Sequence, residues 1–153
     1  AALFAVRTQR PVRYRMPRHD DMVQTGKRHD FWNRYHCGFD QTGRLEGVEM
    51  DLAGLCGYSA DLSEGIVDRA MFHADNAYFL SNARITGYRC RPNTVSNTAF
   101  RRFGGPHGRM VVEAMMDDIA RPLRQAPLDV RKANLHHAGR DRHPTGHTVD
   151  NHT

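Results

Sequence analysis

The sequence predicts an α+β fold, antiparallel strands and a hairpin with helices interspersed, on three observations. Residues 31–39 and 44–54 alternate apolar with polar side chains around Asp40-Gln41-Thr42-Gly43, the pattern of two paired strands that bury one face. Leu62, Ile66 and Ala70, then Val111, Met115 and Ile119, recur at helical spacing. Gly and Pro act as punctuation along the chain. With 153 residues there is one domain's worth of polypeptide. Leu, Ile, Val and Phe supply only about a fifth of it, which points to an ordered segment short of apolar mass.

Element by element, Ala2-Leu3-Phe4-Ala5-Val6 reads as the end of a helix. Val12-Arg13-Tyr14-Arg15-Met16 alternates and predicts a strand with its arginines toward solvent. A polar stretch over 19–30 precedes the hairpin, in which Tyr35, Cys37 and Phe39 face Val48, Met50 and Leu52. Asp61 or Ser63 is placed to cap a helix over 62–74. Residues 83–91 predict another strand, closed by Pro92, before the turn-forming run Asn93-Thr94-Val95-Ser96-Asn97-Thr98. Helix resumes at Pro106, a good first-turn residue, and Pro122 stops it. A short helix over 128–135 and a polar, His-rich tail over 136–153 complete the chain.

The formal net charge is +5, and all of the 22 basic residues except Lys27 and Lys132 are arginine. Arg7, Arg10, Arg13, Arg15 and Arg18 come nearest to a nucleic-acid surface, but a solvated strand face explains them more simply, so nucleic acid is not an expected partner. No run has the roughly 18 apolar residues of a membrane span, and the first residues lack a basic leader; a cytoplasmic protein without a membrane partner is expected. Cys37, Cys56 and Cys90 are three and far apart, with no Cys-x-x-Cys pair, so reduced structural cysteines are expected. His136, His137, His143, His147 and His152 crowd the tail without the spacing of a closed zinc site.

The most informative stretch is 96–108, where Phe100, Arg101, Arg102 and Phe103 lead through Gly104-Gly105-Pro106 into a helix. Glycines before a helix N-terminus make either a plain turn or a place where outward-facing amides meet an anion or cofactor. Arg69, beside an apolar helix face, reads from local chemistry as paired with a neighbouring carboxylate, and Phe103 as a core ring.

Taken together, Ser96-Asn97-Thr98-Ala99-Phe100-Arg101-x-Phe103-Gly104-Gly105-Pro106 resembles the signature of the molybdenum hydroxylases of the xanthine oxidase and aldehyde oxidase family, in their molybdopterin-binding part. Asp68-Arg69-Ala70-Met71-Phe72-His73-Ala74-Asp75-Asn76, Asp61-Leu62-Ser63, Thr25-Gly26-Lys27-Arg28-His29, Arg10-Pro11-Val12-Arg13 and Val130-Arg131-x-x-Asn134-Leu135 fit in order, so the resemblance covers nearly the whole chain. It implies that residues 1–153 are an internal fragment of a larger molybdopterin-binding domain, inactive alone. The implied activity is oxidation of a purine such as hypoxanthine or xanthine at a ring carbon, with oxygen from water and hydride passing to a molybdenum sulfido group. It further implies a molybdenum-molybdopterin cofactor, iron–sulfur clusters and FAD on other domains or subunits, and an oligomer.

By resemblance, Arg69 is the catalytic arginine that also binds substrate and faces the negative charge developing on the purine. Phe103 orients the flat substrate. Ala99, Phe100, Arg101, Gly104 and Gly105 border the cofactor, and the Arg101 backbone approaches the metal. Aldehyde-oxidising members lack an arginine at the Arg69 position, and Gly104-Gly105 rather than Gly followed by Phe also leans toward a purine. The general-base glutamate belongs to segments outside these residues. Two departures stand out: Arg102 replaces the usual Gly and His107 the usual Gln. An arginine where the glycine has positive φ costs on the order of 1 kcal/mol. The alternatives are an aldehyde-oxidising hydroxylase of the same family, a degenerate enzyme-like subunit, and a basic RNA-binding module.

Overall fold

The computed structural model describes residues 1–149. Its hairpin is the predicted one: β1 (Phe31–Phe39) pairs antiparallel with β2 (Leu45–Leu55), with Tyr35 opposite Met50 and Cys37 opposite Val48. The turn is tied by Asp40, whose carboxylate accepts the Thr42 amide at 2.8 Å, and by Gly43 at φ 81°. After β2 the chain forms α3 (Ser63–Phe72) and then β3 (Ala83–Cys90), which lies on the far side of β2 and runs parallel to it. The antiparallel hairpin expected from the sequence thus sits in a mixed sheet of order β1-β2-β3, whose third strand, of no stated direction in the sequence reading, runs parallel. The helix between β2 and β3 is the crossover that parallel neighbours require, and the alternation of side chains carries no sign of strand direction.

One face of the sheet is covered by α3 and by α4 (Gly105–Leu123). Met50 and Leu52 from β2, Ile66, Val67 and Ala70 from α3, and Val112, Met115, Met116 and Ile119 from α4 form a buried core. Of the helix stripes read from the sequence, Val111, Met115 and Ile119, with Ile66 and Ala70, are buried, whereas Leu62 lies at the start of α3 and is exposed. α4 continues one residue past Pro122 and ends at Arg124 in a left-handed cap. α5 (Pro127–Asn134) returns to the hairpin, where buried Asn134 accepts the Leu45 amide at 2.8 Å and donates to the Gly43 carbonyl at 2.8 Å.

Three local expectations are corrected. The strand over 12–16 is absent: residues 11–17 pair with no strand and Tyr14 is exposed, so alternation there had no neighbour to make it a sheet. The polar stretch after it holds a short helix, α2 (Arg18–Gln24), following α1 (Ala2–Thr8). Neither proposed cap serves α3; Leu62 occupies the N-cap position, while Ser63 is buried and bonded to His29 at 2.7 Å.

The tail is also less free than a solvated loop. His143 pairs with buried Asp75 at 2.8 Å and stacks on Phe72, and Arg140 lies 4.8 Å over the Phe79 ring. His152 lies outside the described residues.

Candidate functional site

The segment before α4 is built in two parts with different supports. Residues 95–98 thread between two other loops, and glycine at two positions makes the threading possible. A Cβ on Gly26 would lie 2.4 Å from the Ser96 carbonyl oxygen, and one on Gly57, at φ 94°, would lie 2.4 Å from that of Val95. Asn97 then fastens the three strands of chain together. Its amide donates to the Cys56 carbonyl at 2.8 Å, its Nδ2 to Leu55 at 2.9 Å, and its Oδ1 accepts the Lys27 amide. The Thr98 amide donates to Lys27 at 3.0 Å. Thr98 also holds the Asp61 carboxyl below its ordinary pKa through a side-chain hydrogen bond, aided by the Leu62 amide.

Beyond Thr98 the chain rises into an exposed crest. Ala99, Phe100, Arg101 and Arg102 are all exposed, Phe100 at 60%. The amides of Arg101 and Arg102 donate to no backbone carbonyl among the described residues. The crest rests on Arg28, whose Nη2 donates to the Arg101 carbonyl at 3.0 Å and whose guanidinium lies 4.7 Å from the Phe100 ring centre. The return into α4 uses three consecutive positive φ values, Arg102 at 71°, Phe103 at 44° and Gly104 at 92°. The glycine that Arg102 replaces would therefore be favoured here on backbone grounds.

This return places the remaining site residues. Phe103 is half-buried against α3: a Cβ on Gly65 would lie 3.1 Å from its ring edge. Arg69 stands one helical turn beyond Gly65 on the same flank of α3. It is exposed and has no carboxylate partner among the described residues, because the neighbouring Asp68 pairs with Arg89 instead. The pairing expected from local chemistry is thus not made by Arg69.

The glycines do different work from each other. Gly104 faces α3, where a Cβ would lie 2.1 Å from the Ile66 carbonyl oxygen, so its bare Cα serves helix packing. Gly105 is buried beside His73 with ordinary clearance of 3.6 Å. The amides expected to face outward at this helix start do not: Gly105 donates to Arg102 at 3.1 Å and His107 to Gly104 at 3.0 Å, and Pro106 has none. Consecutive left-handed residues close these short turns inward. The free amides belong to the crest.

His107, the second departure, joins α4 to the loop before β1. Its Nε2 lies 2.9 Å from the His29 carbonyl and its ring stacks on Phe31 at 4.5 Å. Burial, and then the charge of His107, lower the His29 pKa. On the far side of the site, burial followed by the charges of Arg109 and Arg69 lowers that of His73.

The structure thus brings Arg69 and Phe103 to one flank of α3 beside the crest, and beneath the crest it adds a residue the sequence reading did not single out, Arg28. Its partners lie more than 70 residues away, and the only available signal was its place in Thr25-Gly26-Lys27-Arg28-His29. No group of three or more His, Cys, Asp or Glu side chains is placed to hold a metal ion among the described residues.

Comparison with known proteins gives one consistent result. Residues 1–135 match the family model of the molybdopterin cofactor-binding domain. The chain is 46% identical over 138 residues to a xanthine dehydrogenase/oxidase from Gallus gallus, covering 90% of this chain and 10% of that protein. It is 39% identical over 142 residues to the xanthine dehydrogenase of Drosophila subobscura, covering 93% and 11%. The solved aldehyde oxidoreductase from Desulfovibrio gigas superposes with a TM-score of 0.81 at 30% identity, covering 96% of this chain and 16% of that one. The chain therefore spans about a tenth of the length of the curated relatives it matches.

Proposed function

The chain belongs to the molybdopterin cofactor-binding domain family, and from that premise we propose that it forms one wall of the substrate and cofactor pocket in a molybdenum hydroxylase that oxidises a purine such as xanthine. The carrying observation is the convergence of an exposed Arg69, the Phe103 ring on the same helix flank and a crest of exposed backbone, with neither Arg69 nor the crest amides of Arg101 and Arg102 partnered among the described residues.

The residues present fit the molybdopterin group. The crest offers unbonded amides at Arg101 and Arg102, and below it Arg28 keeps a buried Nη1 with no partner among the described residues. A buried donor left unsatisfied costs about 1–3 kcal/mol, so a bound partner for it is favoured. The donor set is main-chain and cationic, which suits an oxygen-rich, anionic organic ligand rather than a bare metal ion. Ala99, Phe100 and Arg101 would line the group, with the Arg101 backbone nearest the metal, and Gly104 and Gly105 would hold the return of the crest. When bound, the cofactor supplies the two-electron oxidation that no side chain here performs.

The chain's own contribution is orientation and field. Phe103 presents an aromatic surface fixed by Gly65, against which a flat heterocycle stacks or meets edge-on. The Arg69 guanidinium offers fixed N–H donors to the ring atoms that gain negative charge during attack. Iron–sulfur and flavin domains or subunits, in an oligomeric cytoplasmic enzyme, complete electron removal in this reading.

The test is Arg69→Gln in the enzyme that carries this chain. Loss of one such donor costs on the order of 100-fold or more in kcat with xanthine, with molybdenum content unchanged. Undiminished xanthine turnover, or a preference of the parent enzyme for aldehydes, overturns the purine reading. A parent protein that carries no molybdenum and retains RNA overturns the family function altogether.

A further inference from the structure

We propose that Arg28 is a positioning residue for the cofactor crest: one guanidinium fixes the Arg101 backbone and the Phe100 ring together. The inference rests on the function proposed above. The guanidinium donates through Nη2 to the Arg101 carbonyl at 3.0 Å, and its central carbon lies over the Phe100 ring, 4.7 Å from the ring centre. A planar cation makes both contacts at once, whereas an ammonium is a compact point charge that satisfies one at the expense of the other.

Three further features separate this role from simple support of the fold. Arg28 has no carboxylate partner within 4.0 Å among the described residues, so its charge is not neutralised by this chain. Its Nη1 is buried and has no hydrogen-bond partner among the described residues. And the crest has little else beneath it: Asn97 and Thr98 are fixed by several backbone bonds, but at Phe100 and Arg101 the side chain of Arg28 is the long-range tether. The Arg101 carbonyl shares one planar peptide unit with the Arg102 amide, so fixing that carbonyl fixes where the Arg102 amide points.

The experiment compares the parent enzyme with Arg28→Lys and Phe100→Leu, measuring molybdenum content, hydrogen exchange of the amides of residues 99–102, Tm, and kcat and KM for xanthine. Arg28→Lys is expected to leave Tm within about 2 °C. It should speed crest exchange about tenfold and lower kcat about tenfold, with KM within about twofold, because orientation rather than binding is lost. Phe100→Leu removes the stacking partner and keeps the hydrogen bond, so crest exchange should rise only about threefold. Crest exchange and kcat at parental values in Arg28→Lys overturn the proposal, as does a change confined to Tm. If that variant does not fold, Phe100→Leu decides: unchanged exchange is against the tether, the threefold rise supports it. A parent enzyme that holds molybdenum but does not oxidise xanthine overturns the purine reading, while the exchange measurements still decide the role of Arg28.

Discussion

Two adjoining stretches of one motif, residues 95–98 and residues 99–102, are held in opposite ways. The first is wedged against Gly26 and Gly57 at distances that admit no Cβ, and Asn97 bonds to both neighbouring loops. The second is exposed and leans on one side chain, Arg28. The same local contrast recurs in the glycines, with Gly104 pressed on the α3 backbone and Gly105 having ordinary clearance. Sequence that looks like a single functional signature is thus part foundation and part working surface. Substitutions in the foundation should cost stability, and those on the crest should cost cofactor geometry.

The largest expected effect lies where α4, the helix that receives the crest, packs on α3. A Cβ on Gly108 would lie 2.0 Å from the Ala70 carbonyl oxygen, so Gly108→Ala must push α4 off α3; chemical denaturation should show a loss of about 3 kcal/mol. Asn97→Ala comes next, removing the side-chain bonds to Leu55 and Lys27. About 2 kcal/mol of lost stability is expected in the same assay. On the return from the crest, Arg102 holds φ at 71°, and Arg102→Gly should raise stability by about 1 kcal/mol, read as a higher Tm. A loss instead would mean that the arginine side chain contributes more than its backbone costs.

The remaining effect is a slope in pH. Burial, then the charge of His107, depress the His29 pKa below its ordinary value. The unfolded chain therefore binds a proton at higher pH than the folded one, so this contribution is complete above about pH 6.5 and is lost as pH falls below it. Denaturation curves taken downward from pH 7 should show the loss, and His29→Gln should flatten that limb. A slope of the opposite sign contradicts the buried, neutral histidine bonded to Ser63.

Much of this was legible in the sequence because periodicity reports burial. The Val48, Met50 and Leu52 face and the Val111, Met115 and Ile119 stripe read from spacing are the ones buried. Periodicity does not report partners or direction. Hence Val12 to Met16 looked like a strand with nothing to pair with, β3 gave no sign of running parallel, and His143 gave no sign of reaching Asp75. At the site, resemblance pointed to Arg69 and Phe103, and the structure adds that Arg69 has no carboxylate partner among the described residues, its neighbour Asp68 being paired with Arg89. Arg28 was hidden by sequence distance alone. The backbone strain at Arg102 was foreseeable, since glycine is the usual residue of the resembling motif.

The most direct test is amide exchange at Arg101 and Arg102 in the enzyme with and without molybdopterin. If the crest is the cofactor-facing surface, these amides exchange freely in the empty protein and become strongly protected on loading, while those of Asn97 and Thr98 are protected in both. Equal exchange at Arg101 and Arg102 in the two forms contradicts the account.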